Sequence, residues 1–335
     1  MAAGRPGSVG SGVLMTSLAS TDVAPDQQRR HRALGVAAVL GATLFWSCGG
    51  SLGKATGVNG VVLGFWRMWI ATVVITVVAV GTGRRPSRAD IRRCAPMGVL
   101  FGLNICAFFI SIQYLSISIT LIIGALTPVV ALPIAVLAMG ERLTALKAVC
   151  ALGAVAGVVS AVLTAPSGGA TSNRTIGYVY SVASMLIWVG YLLVSKRARR
   201  EVETVRLMWV VTVTGAVTLS VLAVATRAPL GSMHGEGWLW VTLLSVGPGL
   251  AGHGLFAWAQ PRVDSSVSTV LIQGEPVGAS IIAWIFLGQS MTVGQSLSMA
   301  VVLAALCVLA YHEAREGRLV RADSGAPEPT VINRR

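Results

Sequence analysis

One pattern occurs twice in this chain, and its second copy has lost its charges. Leu126-Thr127-Pro128 leads through an apolar stretch to Gly140-Glu141-Arg142-Leu143-Thr144, with Lys147 beyond. Gly274-Glu275-Pro276 leads through another to Gly288-Gln289-Ser290-Met291-Thr292, with Gln295 beyond. The two prolines are 148 residues apart, as are the glycines Gly140 and Gly288. In that register Glu141 becomes Gln289, Arg142 becomes Ser290 and Lys147 becomes Gln295. Basic residues stay on the cytoplasmic side of a membrane protein. Two copies that cross a bilayer in opposite directions would therefore end on opposite sides, and the outer copy would lose its Arg and Lys.

Composition supports a bilayer as the solvent. Hydrophobic residues make up 54% of the 335 and charged residues 12%, with a mean hydropathy of +0.73. Such a chain cannot cover itself with a normally polar surface. A membrane helix needs about 20 apolar residues. Ten such runs lie near 33–54, 61–81, 95–115, 117–139, 145–164, 176–195, 206–226, 237–257, 265–287 and 292–311. A β-barrel would need strands that alternate apolar and polar, yet Ala71 to Val80 is mostly apolar on both faces. The expected fold is an all-α polytopic membrane protein with about ten transmembrane helices in two inverted five-helix repeats.

The net charge of +13 would point to nucleic acid in a soluble protein. Sorted along ten spans with the N-terminus inside, it says something else. Only Lys54, Arg174 and Arg227 fall outside, Arg67 falls within a span, and the remaining Lys and Arg fall inside. That asymmetry orients a multispanning chain and can contact anionic lipid headgroups. It leaves no need for a nucleic-acid partner.

The expected organisation is a disordered cytoplasmic tail over 1–32, a first repeat over 33–164, an outer linker over 165–175, a second repeat over 176–311 and a cytoplasmic tail over 312–335. The first 32 residues lack an apolar core of signal-peptide length. Cys48, Cys94, Cys106, Cys150 and Cys307 are scattered without a Cys-x-x-Cys pair and read as apolar packing residues. Trp46 and Lys54 of the first span match Trp188 and Lys196 of the sixth at a separation of 142. Each half then holds five spans, and an odd number inserts the second half upside down.

Phe45-Trp46 with Lys54, Phe65-Trp66-Arg67, Pro128 with Gly140-Glu141-Arg142-Leu143, and Glu275-Pro276-Val277 together resemble the EamA-type pattern of the drug/metabolite transporter superfamily. The resemblance covers residues 33–311 and rests on order, spacing and duplication. It implies ten helices in two inverted repeats that carry small metabolites, amino acids or drugs across the cytoplasmic membrane, often outward. One departure stands out. The family commonly keeps an acid after Leu-Gly in the second repeat, whereas Leu287-Gly288 is followed here by Gln289.

Glu275 is the sharpest candidate for binding substrate or a coupling ion. It lies about ten residues into its expected span, where an unpaired carboxylate is costly, and Pro276 after it frees a carbonyl of the preceding turn. Pro128 and Pro276 are the candidate helix breaks or hinges. Arg67 could bind a carboxylate or phosphate in bidentate fashion, or snorkel to the headgroups. Trp46, Trp188, Asn104, Tyr191, Gln273 and His253 are further cavity candidates, with Gln113 and Tyr180 behind them. For the aromatics and for His253 the alternative is packing between helices. Gly49-x-x-x-Gly53 and Gly153-x-x-x-Gly157 read as close helix contacts.

The function expected is a secondary carrier with a small-molecule substrate in a lipid bilayer, without cofactor or metal, and compatible with a homodimer. A channel or receptor would share the hydropathy. A membrane enzyme would need convergent ligands, but His31, His234, His253 and His312 lie far apart in sequence without metal-binding spacing.

Overall fold

Every described element is helical, as a bilayer requires of a chain that must satisfy its own backbone. The computed structural model describes residues 25–130, 133, 144–164, 173–259, 262–263 and 265–323. The first half holds α1 (Pro25–Ala55), α2 (Gly60–Gly81), α3 (Arg88–Tyr114), α4 (Ile117–Gly124) and α5 (Ala145–Leu163). The second holds α6 (Arg174–Glu201), α7 (Thr204–Ala225), α8 (Gly237–Leu244), α9 (His253–Ala259), α10 (Ser265–Ile272), α11 (Glu275–Leu287) and α12 (Val293–Asp323). A π-helical segment, Ser245–Gly252, joins α8 to α9. Among the described residues, eight helical segments are long and apolar enough to cross a membrane. Two shorter apolar stretches accompany them, Ile117–Val130 and Glu275–Leu287. The motif residues Gly140, Glu141 and Arg142 lie outside the described residues.

Side chains at the helix ends satisfy amides that the helix leaves unpaired. Asn59 accepts from the Val62 amide to start α2, and Ser87 with Asp90 forms a reciprocal capping box on α3. Thr144 caps α5 through the Lys147 amide. The residues 148 positions later do the same for α12, where Thr292 Oγ1 accepts from the Gln295 amide and Gln295 Oε1 from the Thr292 amide. Helix also extends beyond the expected spans. α1 begins at Pro25 and α12 runs to Asp323, so parts of both expected tails are helical. Straight-chain helix formers such as Gln27, Gln28, Arg315 and Leu319 allow this continuation.

α3 packs along α6 and α7, α2 along α7, and α5 along α12. α1 packs on α11 and on the whole α8–π–α9 span, and α4 packs on α6 and α11. The main core lies among α2, α3 and α7, with Leu63, Met68, Phe109 and Leu219 nearly fully enclosed. A second core joins α4, α5 and α12 through Ile122, Ala154 and Val302. Glycine sets the closest approach. A methyl group on Gly102 would stand 2.9 Å from the Gly215 carbonyl oxygen, and one on Gly98 would stand 2.7 Å from that of Val211. Gly157 approaches α12 in the same way, and a methyl there would stand 3.2 Å from the Ser298 carbonyl oxygen. The outward faces carry exposed Val73, Val77, Leu152, Ile285 and Phe286, a surface suited to acyl chains.

Candidate functional site

The two proline motifs mark two helix interruptions in one register. α4 covers Ile117–Gly124 and α10 covers Ser265–Ile272, the same eight positions shifted by 148. Each is followed by a two-residue turn, Ala125-Leu126 and Gln273-Gly274, before helix resumes. Pro128 and Pro276 then sit in the first turn of the resumed helix, where a missing amide proton costs nothing. The expected single span over 265–287 is thus two helices end to end.

Glu275 heads the second of them. Its carbonyl oxygen accepts from Ser47 Oγ at 3.3 Å, which ties the break to α1. Gly278 closes on the same serine, with Ser47 Cβ only 3.1 Å from where a methyl would stand. Gln273, in the turn, has a buried Nε2 with no hydrogen-bond acceptor among the described residues. An amide donor left open two residues before Glu275 in the sequence is polar capacity that packing does not consume.

Four of the aromatic and histidine candidates join into one chain across the two halves. Trp188 stacks on Tyr191 at 4.8 Å between ring centroids. Tyr191 meets Phe101 at 5.6 Å, Phe101 meets His253 at 5.3 Å, and His253 meets Trp46 at 5.0 Å. Phe256 closes the row on Trp46 at 5.2 Å. Trp46 Nε1 donates to His253 Nδ1 at 3.1 Å, and the same nitrogen lies 3.0 Å from the Pro248 carbonyl oxygen. One nitrogen cannot accept from the indole and donate to the carbonyl at once. The proton position on His253 therefore selects between α1 and the π-helical segment.

Arg67 is packed within the helix bundle. It is 6% exposed, and its guanidinium carbon stands 5.3 Å over the Phe109 ring. Gly249 of the π-helical segment faces it, and a methyl there would sit 3.8 Å from Arg67 Nε. Three residues on, a methyl on Gly252 would stand 2.8 Å from Trp46 Nε1. The same short segment thus touches both the arginine and the aromatic row.

The profile of the EamA-like transporter family matches this chain twice, over residues 33–163 and 175–311. The chain belongs to the EamA-like transporter family. Each match covers one half, so the duplication read from the proline motifs is a duplication of the family unit. An uncharacterized transporter of Archaeoglobus fulgidus is 23% identical over 251 residues, 74% of this chain and 86% of that protein. A protein of known crystal structure superposes with a TM-score of 0.59 at 22% identity, over 85% of this chain and 98% of its own. That likeness is one of fold.

Other expected residues of this EamA-like chain lie elsewhere. Asn104 Nδ2 donates to the Ser184 carbonyl at 2.8 Å and to Ser184 Oγ at 2.9 Å, which commits it to the contact of α3 with α6. Tyr180 is more than a third exposed, on the outward face of α6. Gln113 Nε2 donates to the Val58 carbonyl at 2.8 Å, and Lys54 Nζ donates to the Leu115 carbonyl at 3.0 Å. Both line a cavity of about 450 Å³ with Gly53, Asn59, Leu63 and Phe109. Phe101, Phe109 and the π-helical segment carried no sequence signal. Phenylalanine in an apolar run looks like any other filler, although Gly247, Pro248 and Gly249 in one span could have hinted at irregular helix.

Proposed function

We propose that this chain is a secondary carrier that works by alternating access, moving a small metabolite, amino acid or drug across the cytoplasmic membrane. Export is the direction implied by the resemblance set out above. The paired interruptions carry the reading, because short, broken spans at matching places in two halves are where carriers bind substrate and ions.

The packing pattern supports an inverted repeat. Exchange α1 with α6, α2 with α7, α3 with α8–π–α9, α4 with α10–α11, and α5 with α12. The contact of α3 with α6 then becomes that of α1 with α8–π–α9, and α4 on α6 becomes α11 on α1. The pairs α2 with α7 and α5 with α12 map onto themselves. A two-fold relation of this kind lets each half adopt the other's conformation, which opens the opposite side. In this reading the termini are cytoplasmic, Glu275 and Gln273 bind substrate or a coupling ion at the break, and Pro128 and Pro276 serve as hinges. The protein performs no covalent chemistry.

The test is flux. Uptake and efflux of a metabolite panel, in cells overproducing the protein and then in proteoliposomes, should give a rate that saturates with solute concentration. Flux that rises linearly without limit would identify a channel, and binding without flux a receptor.

A further inference from the structure

We infer that Arg67 is the docking group for an anionic substrate, a small carboxylate or phosphate, and that Phe109 separates it from the cavity through which that anion passes. The inference deepens the carrier reading and rests on it for the direction of passage, but the binding site stands on its own geometry.

Arg67 as a whole is 6% exposed, and a guanidinium so nearly enclosed is expensive unless it is paired, hydrogen-bonded or hydrated. Among the described residues Arg67 has neither a carboxylate nor a hydrogen-bond acceptor. The ion pairs there join Arg84 to Glu203, Arg93 to Glu201, and Arg206 to Asp90 and Glu203. The Phe109 ring is its charge-stabilising neighbour, and a cation–π contact recovers only a small part of the cost of burial. Five N–H donors in a planar fork are left unspent. A carboxylate or phosphate takes two of them in parallel.

The guanidinium has the π-helical backbone on one side and a ring on the other. Gly249 presents no side chain, so the π-helical backbone lies directly against the guanidinium, and a methyl there would be in ordinary contact 3.8 Å from Arg67 Nε. Phe109 forms part of the wall of the 450 Å³ cavity, whereas Arg67 is not among its lining residues. The ring therefore stands between cavity and guanidinium. Leu63 and Gly53 hold it in place, and a methyl on Gly53 would stand 2.8 Å from Phe109 Cδ1. Lys54 lines the cavity with one of its three donors already fixed on Leu115. A cation in the cavity wall, a ring that blocks, and an unpaired cation behind it make a path that draws an anion inward.

Binding of benzoate, succinate and inorganic phosphate to the purified full chain, followed by tryptophan fluorescence, tests this, with benzamide and succinamide as neutral controls. We expect saturable binding of at least one anion and none of the amides. Arg67→Gln should weaken binding at least tenfold, and Arg67→Lys less, since it keeps charge but not the fork. Arg67→Met should abolish binding while raising the melting temperature, because it removes an unpaired buried charge. Wild type that binds no anion, amides bound as tightly as acids, unchanged affinity in Arg67→Gln, or a lowered melting temperature in Arg67→Met would each overturn the inference. Flux of the bound anion in proteoliposomes separates the two readings. Arg67-dependent binding without flux refutes the carrier and keeps the site, and saturable flux of neutral solutes unaffected by Arg67→Gln does the reverse.

Discussion

Gln289 Oε1 accepts a hydrogen bond from the Ile117 amide at 3.3 Å, so the residue after the second family motif closes the first turn of the broken helix in the first half. Ser116 Oγ accepts from the Ile119 amide at the same end. A carboxylate can accept there as well as an amide and is favoured at a helix N-terminus. Gln289→Glu should therefore express and transport like the wild type. Gln289→Leu leaves an amide open and should lower stability by about 1 kcal/mol, read as a drop in melting temperature. Loss of transport in the Glu variant with normal expression would mean that the neutral side chain is part of the mechanism.

Glu275→Gln keeps shape and removes charge. Membrane expression should stay near normal, because the Glu275 contact with Ser47 is through the backbone. Transport should fall at least tenfold, and any pH dependence of the rate should flatten. Wild-type rates and an unchanged pH profile would assign Glu275 to packing.

Gly98 is the tightest point between α3 and α7. In Gly98→Ala the new methyl would collide with Thr214 Oγ1 and stand 2.9 Å from its Cβ. Overpacking of this kind costs about 1–3 kcal/mol, and a melting temperature within error of wild type would contradict the packing. A methyl on Gly254 would meet nothing within 4 Å, so Gly254→Ala is the matched control that should not lower stability.

Trp46→Phe removes the indole donor and leaves His253 Nδ1 to the Pro248 carbonyl. Only one of the two hydrogen bonds can form at a time, so the Pro248 bond takes the place of the lost one and folding should survive. Transport should fall, because the aromatic row would no longer hold α1 to α9 in alternative proton states. Equal transport rates in Trp46→Phe and wild type would reduce the row to packing.

Reporter fusions to the C-terminal tail and next to Arg174 should lie on opposite sides of the membrane, with the tail inside. The same side for both would remove the inverted repeat and with it the proposed cycle.

The sequence by itself determined the all-helical membrane class, the family and its two units, and the register of the interruptions. Length and hydropathy set spans in a bilayer, and the turn at Gln273-Gly274 falls where the repeated proline motif puts it. Only the tertiary structure decided what each polar residue meets. Asn104 and Arg67 look equally eligible in sequence, yet one is spent on Ser184 and the other is enclosed without an acceptor among the described residues. Phe109 and Phe101 were invisible until α3 met α2 and α9. The reason is physical. Lipid is as apolar as the protein core, so the pattern along a membrane helix hardly distinguishes its inner face from its outer one. Rotation about the helix axis is fixed instead by close contacts such as Gly98 on Thr214 and Gly102 on Gly215, and these exist only once the helices are packed.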